Sequence, residues 1–519
     1  MSENTHKPSG QSTLPFRQEA FDWDGRPSID LLEERKRLLR PRKANSRLPS
    51  YCCSVRYFMF FMVIFCGIIT MATKINLSMT IVTMTYHPND IPPLENSIYF
   101  LNWTSTQQGI ALSAVHYGQI VMQLPGGWLV TRIGGWKVLL IGIFLSSLST
   151  IFQPLAAMYN FTLFVVLRVF AGLCQTPFHA AVNDLWSRWA SPQEITRFSV
   201  APAIGETIGS FMTIYFSGYV LYYFSWPTVF YICGATGIIW TMIWCMFFTN
   251  SPSIHTFISY DEAEYIQTTI EDKQGPLGYQ PYKIPWSSIL CSRPIWALAL
   301  GSFGLGWLNS MLIAYFPILF YILYDKKIYS IGLLSCIPFF LHAVFMLLFS
   351  ILADKLIQNH FSKTATRNAF LLLGSIVPAG SLMLMTYSSD QGILITALYL
   401  IVIIEAAMYC TIMANPLDIA PIHVGIITAF IDIFSSLASA ISPLIAGFII
   451  EPENIRSWHT VFYEVGAVLT ACSLIYLMYS SAEIQPWAIY SLSKDLTIYR
   501  TLNSDEETEE TPISSIFND

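Results

Sequence analysis

Runs of roughly 20 apolar residues separated by short polar turns recur from about Tyr57 to Tyr479. At 1.5 Å rise per residue, each is long enough to cross about 30 Å of hydrocarbon as a helix. About twelve such runs can be read by this length rule, six between about Tyr57 and Phe248 and six between about Pro294 and Tyr479. Between the sets the pattern turns polar, with Asp261, Glu262, Glu264, Glu271, Asp272, Lys273 and the turn-forming Gly275-Pro276, which predicts a connection carrying a short amphipathic helix. The chain therefore divides into a tail (1–55), a six-helix half (56–249), a loop (250–293), a second six-helix half (294–480) and an acidic tail (481–519). Turns at equivalent places support an internal repeat: Gly127 to Lys137 follows the second span, and Ala353-Asp354-Lys355 to Arg367 follows the eighth. Gly205 and Gly209, four apart in the fifth span, suit close approach of a neighbouring helix.

Composition fixes the class. The chain is 53% hydrophobic and only 12% charged, and its mean hydropathy is +0.48, which excludes an ordinary soluble domain and predicts a polytopic all-α membrane protein with the lipid bilayer as solvent. The net charge of −6 says little by itself, because much of the acidity lies between Asp505 and Glu510. Basic residues crowd Arg26 to Arg56 and the loops around Arg132/Lys137, Arg188/Arg197 and Lys355/Lys363/Arg367, which the positive-inside bias assigns to the cytoplasm. The stretch from Tyr86 to Gln108 holds Asp90 and Glu95 but no Lys or Arg, so it is expected on the lumenal or external side, with both termini cytoplasmic. The first fifty residues are polar and basic, so the first span is expected to serve as its own insertion signal. Ten cysteines are scattered without ligand spacing, and neither a metal nor a cofactor is expected. Cys52 and Cys53 read as juxtamembrane thiols. No nucleophile–base constellation is present to suggest an enzyme, and no nucleic-acid partner is expected.

Two cations stand where hydrocarbon should exclude them. Arg168 lies in the apolar stretch from Tyr159 to Val182 and Lys74 in the first span. A charge at mid-bilayer costs on the order of 3 kcal/mol on insertion scales, so it faces a cavity, a partner or a cargo. Together they point to a small anionic substrate. Positions 168, 172, 175 and 179 share one helix face, so Arg168, Gly172, Gln175 and His179 are expected to line the cavity. Arg168 suits a carboxylate or phosphate through two parallel hydrogen bonds, with Lys74, Gln175 and Tyr117 as further substrate contacts. Glu206, Glu405 and Asp432 are intramembrane acids and the candidates for coupling-ion binding; the alternative for each is a fixed pair with Arg168 or Lys74. His116 and His342 are further titratable groups, with a buried neutral ring as the plainer expectation.

Pro125-Gly126-Gly127, Arg168, Trp186-Ser187-x-Trp189-Ala190-x-Pro192 and Asn415-x-Leu417-Asp418-Ile419-Ala420-Pro421 resemble the anion:cation symporters of the major facilitator superfamily, the group of sialin, the vesicular glutamate transporters and the type I sodium–phosphate cotransporters. The resemblance runs from about Cys52 to Trp487. It implies a major facilitator fold and secondary active transport of organic or inorganic anions by alternating access, coupled to protons or sodium. Lys74 stands where the family shows an arginine, which keeps the charge without the planar fork. Two family acids downstream of Arg168 fall at Ala171 and Gln175, and seventh-span polar residues fall at Leu305 and Ser310. Those departures motivate the alternative of a transport-deficient sensor or scaffold.

Three signals concern modification and address. Asn102-Trp103-Thr104 is a glycosylation sequon on the expected lumenal side, whereas Asn76 and Asn160 open sequons in or against spans. Glu34, Leu38 and Leu39 fit an acidic dileucine signal read by clathrin adaptors, which favours endolysosomal or vesicular membranes over the plasma membrane. Tyr499 and Leu502 form a weaker tail signal.

Overall fold

A computed structural model of the chain describes residues 54–85, 100–190, 198–250, 285–323, 328–388, 390–420, 423–451 and 455–488, with isolated positions at 252, 255, 258–259, 262 and 265–266. Glu34, Leu38, Leu39, Cys52 and Cys53 lie outside them, as do Pro192, Pro421 and most of the loop between the halves.

Fourteen helices are described. In the first half they are α1 (Val55–Thr85), α2 (Ser105–Ile133), α3 (Gly135–Tyr159), α4 (Phe161–Gln175), α5 (Phe178–Trp189), α6 (Ala201–Tyr223) and α7 (Pro227–Phe247). The short α8 (Trp286–Cys291) precedes α9 (Arg293–Leu323), α10 (Ile328–Gln358), α11 (Lys363–Tyr387), α12 (Gln391–Ile419), α13 (Val424–Ile449) and α14 (Ile455–Tyr479). Because α4 and α5 together make one broken span and α8 is a six-residue turn, twelve membrane-length units remain. Ten are both long and apolar enough to cross a bilayer. The other two, α2 and α6, have the length but carry Gln107, Gln108, His116, Gln119 and Gln123, or Glu206 and Thr207. They are also helices through which the halves meet, α2 against α13 and α6 against α10, so their polar positions face protein rather than lipid.

The fourth span is not the continuous helix that its apolar run suggested. Pro177 has no N–H and its ring collides with a preceding helical turn, so α4 stops at Gln175 and α5 restarts at Phe178. The Thr176 hydroxyl turns back onto the Gly172 carbonyl at 2.7 Å, beside the Thr176 amide at 3.2 Å, so both Thr176 donors close the last turn of α4 on one acceptor. Elsewhere a proline sits inside a continuous helix at the cost of one backbone bond, and a neighbour replaces it. Pro443 in α13 cannot donate to the Ser439 carbonyl, which instead accepts from Ser310 Oγ on α9 at 2.9 Å.

Helix crossings are closest where glycines remove the side chain. Gly205 in α6 lies against Ile64 and Gly67 of α1, the packing role expected from its spacing with Gly209. Between the halves, a β-carbon on Gly218 would sit 2.8 Å from the Gly332 Cα, and one on Gly109 would meet the Gly447 Cα at 3.0 Å. Both crossings lie at the same end of the bundle, near the start of α2 and the end of α6. Here the halves touch.

Polar anchors sit at the other end. Asp184 at the end of the fourth span accepts from the Gly135 amide at 2.8 Å and from Arg188 at 3.0 Å. Asp418 at the end of the tenth accepts from Arg367 at 2.9 Å, with Lys363 at 3.8 Å. Asn415 donates to the Tyr476 hydroxyl at 2.7 Å, and Trp186 and Trp189 are sealed in the core. The motifs that carried the resemblance are thus largely scaffold. The connection between the halves is itself anchored: Glu262 accepts from the Val55 and Arg56 amides at 3.2 Å each, from Arg56 Nε at 3.0 Å and from the Ser54 hydroxyl, which caps the first turn of α1 with a carboxylate.

Candidate functional site

Arg168 reaches from α4 to α1. Its Nη1 donates to Asn76 Oδ1 and its Nη2 to the Lys74 carbonyl, each at 2.9 Å, and the residue is 1% exposed. Nε is buried without a partner. Two guanidinium corners are therefore spent on holding the first span, and the open fork expected for cargo is absent in this conformation. No carboxylate lies within ion-pair distance of Arg168 or Lys74 among the described residues, so the fixed-pair alternative is not met either.

The polar stripe expected on the fourth span is likewise redistributed. Gly172 packs onto the Val115 backbone of α2, and its hydrogen atom fills the only space available. Gln175, 5% exposed, donates from Nε2 to Thr73 Oγ1 at 2.6 Å, a second tie to α1. Tyr117 accepts from Ser113 Oγ of its own helix at 2.9 Å. Arg168 and Gln175 thus fix the helix that carries Lys74. The stripe is interrupted at Thr176-Pro177, where α4 ends, and beyond it His179 at the start of α5 pairs with Glu206 on α6.

Lys74 is different. Its side chain is half-buried on α1, and its ammonium makes no hydrogen bond or ion pair among the described residues. It lies within electrostatic reach of Glu206 and Asp432. His179 Nε2 lies 3.0 Å from Glu206 Oε1, and the two side chains are 57% and 27% exposed. Asp432, half-buried on α13, feels the charges of His179, Glu206 and Lys74, and its Oδ2 stands 3.5 Å from Gln123 Nε2 on α2. Charged groups from α1, α5, α6 and α13 therefore converge, yet His179 remains open to water-sized contact. They line a cleft, not a packed core.

The remaining sequence candidates stand apart. Glu405 on α12 is 2% exposed, and its Oε1 has no partner. His116 bonds Gln119 through Nδ1 at 2.9 Å, and His342 meets the Tyr409 ring edge-on with centroids 6.0 Å apart. Leu305 and Ser310 are buried in the second half. Asn102 is exposed just before α2, with its sequon partner Thr104 serving as the N-cap. Asn76 is fully buried, whereas Asn160 is exposed and caps α4 by accepting the Thr162 amide on Oδ1. His179 was visible in the sequence only as the end of a stripe. Its pairing with Glu206 joins two different helices, a relationship that hydropathy does not reveal.

Residues 57–443 match the sequence family described as Major Facilitator Superfamily. Sodium-dependent phosphate transport protein 1 of Mus musculus is 29% identical over 456 residues, covering 85% of this chain and 97% of its own length. Human sialin is 28% identical over 486 residues, covering 90% of this chain and 96% of its own. Among solved structures, a bacterial homologue of the human lysosomal transporter Spinster, in an inward-facing and occupied conformation, superposes with a TM-score of 0.63 at 12% identity, covering 83% of this chain and 99% of that one. With twelve membrane-length units, a match to that family over most of its length and transporters as its relatives, the chain belongs to the Major Facilitator Superfamily and is a multi-pass membrane protein of the secondary-transporter kind.

Proposed function

We propose that this protein carries small organic or inorganic anions across the membrane by alternating access, with Lys74 as the first contact for the cargo. One observation carries the reading: a membrane-embedded ammonium beside a cleft, without any hydrogen bond or ion pair among the described residues, while the neighbouring guanidinium spends both terminal nitrogens on holding α1. An anion supplies the missing partner. The names of the phosphate-transporting relative and of sialin fit the same class. Protons or sodium are the coupling ions in view.

The basic loops assign the end of the bundle carrying Asp184 and Asp418 to the cytoplasm. The glycine crossings then close the lumenal or external end, and the cleft opens inward. Both termini lie in the cytoplasm, Asn102 is a site for N-glycosylation, and Glu34, Leu38 and Leu39 recruit clathrin adaptors that direct the protein to endolysosomal or vesicular membranes.

The test is uptake of radiolabelled inorganic phosphate, glutamate and glucuronate into proteoliposomes, under proton, sodium and voltage gradients and in exchange mode. Lys74→Gln should lower uptake of the transported anion at least tenfold, and Lys74→Arg should restore most of it. Undiminished flux in Lys74→Gln overturns the assignment of the cargo contact. No flux of any anion in the wild type favours the sensor or scaffold alternative.

A further inference from the structure

The cleft beside Lys74 contains more titratable groups than anion binding needs. Three belong to the first half: Lys74 on α1, His179 on α5 and Glu206 on α6. Asp432 on α13 belongs to the second. Tyr409 on α12 also feels Glu206 and Asp432, and Cys66 on α1 feels Glu206. These groups are not equivalent. Glu206 is already matched by His179 at 3.0 Å. Among the described residues Asp432 has no cation within 4 Å, and its side chain meets the Gln123 amide of the opposite half at the 3.5 Å limit of a hydrogen bond. It is half-buried and borders the open cleft, whereas Glu405 is buried at 2% exposure.

Resting on the proposed anion transport, we propose that Asp432 is the proton-binding site that couples the cargo to a pH gradient, one proton accompanying each monovalent anion. The argument is competition for one cation. Lys74 lies within electrostatic reach of Asp432, so an ionised Asp432 carboxylate and an incoming monovalent anion draw on the same ammonium. A proton taken from water onto an Asp432 carboxylate oxygen removes the competitor, and a proton and a monovalent anion entering together leave the net charge of the closing cleft unchanged. The new O–H can donate to the Gln123 side-chain oxygen once that amide turns over, so protonation replaces one cross-half hydrogen bond with another. Because Asp432 and its charged neighbours lie on opposite halves, its protonation is felt at the boundary along which the halves move.

The experiment uses the same proteoliposomes, with the labelled anion that exchanges in the wild type. An imposed pH gradient should raise wild-type accumulation about tenfold over equal pH. Asp432→Asn should lose that rise while still exchanging label, Asp432→Glu should keep it with a displaced pH dependence, and Glu405→Gln should behave as wild type. Retained pH-driven accumulation in Asp432→Asn, or wild-type accumulation driven by sodium and indifferent to pH, overturns the proposal and leaves anion transport standing. If Asp432→Asn is wholly inactive, the Asp432→Glu profile decides, and an unchanged profile overturns the assignment. Absence of any wild-type exchange is a distinct result that removes the underlying transport reading.

Discussion

Asp184 at the end of the fourth span and Asp418 at the end of the tenth do equivalent work, each tying its span to the beginning of the one before it in the chain. Their surroundings differ. Above Asp184 the span breaks at Thr176-Pro177, and Arg168, Gln175 and His179 project to partners on α1 and α6. Above Asp418 the helix runs unbroken from Gln391 to Ile419, and its one interior acid, Glu405, faces no cation. In the seventh span, Leu305 and Ser310 are packed away, the latter bonded to the Ser439 carbonyl. The repeat is thus shared at the level of scaffold and unequal at the level of chemistry: the first half holds the cations, and the second contributes mainly Asp432.

The comparison is exposed to experiment at five further positions. The largest effect belongs to Arg168→Ala, which strands the Asn76 side chain and the Lys74 carbonyl together. About 3 kcal/mol of stability should be lost, read as the unfolding midpoint of purified protein, along with transport. A stable, active variant would mean that the guanidinium does not organise α1. Next, Asp418→Asn should cost about 2 kcal/mol and Asp184→Asn less than about 1 kcal/mol, because Asp418 and Arg367 are 12% and 11% exposed whereas Asp184 and Arg188 are 20% and 38% exposed. Equal losses would show that the two anchors are energetically as well as geometrically alike. Smallest, Gly380→Ala in α11 meets nothing within 4 Å and should stabilise the second half by about 0.5 kcal/mol, whereas Gly332→Ala should destabilise through its clash with Gly218.

Much of the scaffold was legible because hydrocarbon imposes a length on every span. Lys74 was equally legible, since a cation in an apolar run needs no partner to be noticed. The contacts that Arg168 makes in this conformation were not. Residue type and burial are the same for an arginine that grips cargo and one that grips a neighbouring helix; only the positions of Asn76 Oδ1 and the Lys74 carbonyl distinguish them. The His179–Glu206 pair joins residues 27 positions apart on different helices, which a reading of one helical face at a time does not connect. Asp432 meets Gln123 across 309 positions of sequence, a relationship that no local periodicity encodes.

At the Gly109–Gly447 and Gly218–Gly332 crossings, main chain rests on main chain. Dissolved salt has no opposed side-chain charges to screen at these points, and acid has no side chain there to protonate. Those seams should consequently part at a rate set by shape and lipid pressure, which leaves the carrier's chemical sensitivity to the groups around its cargo.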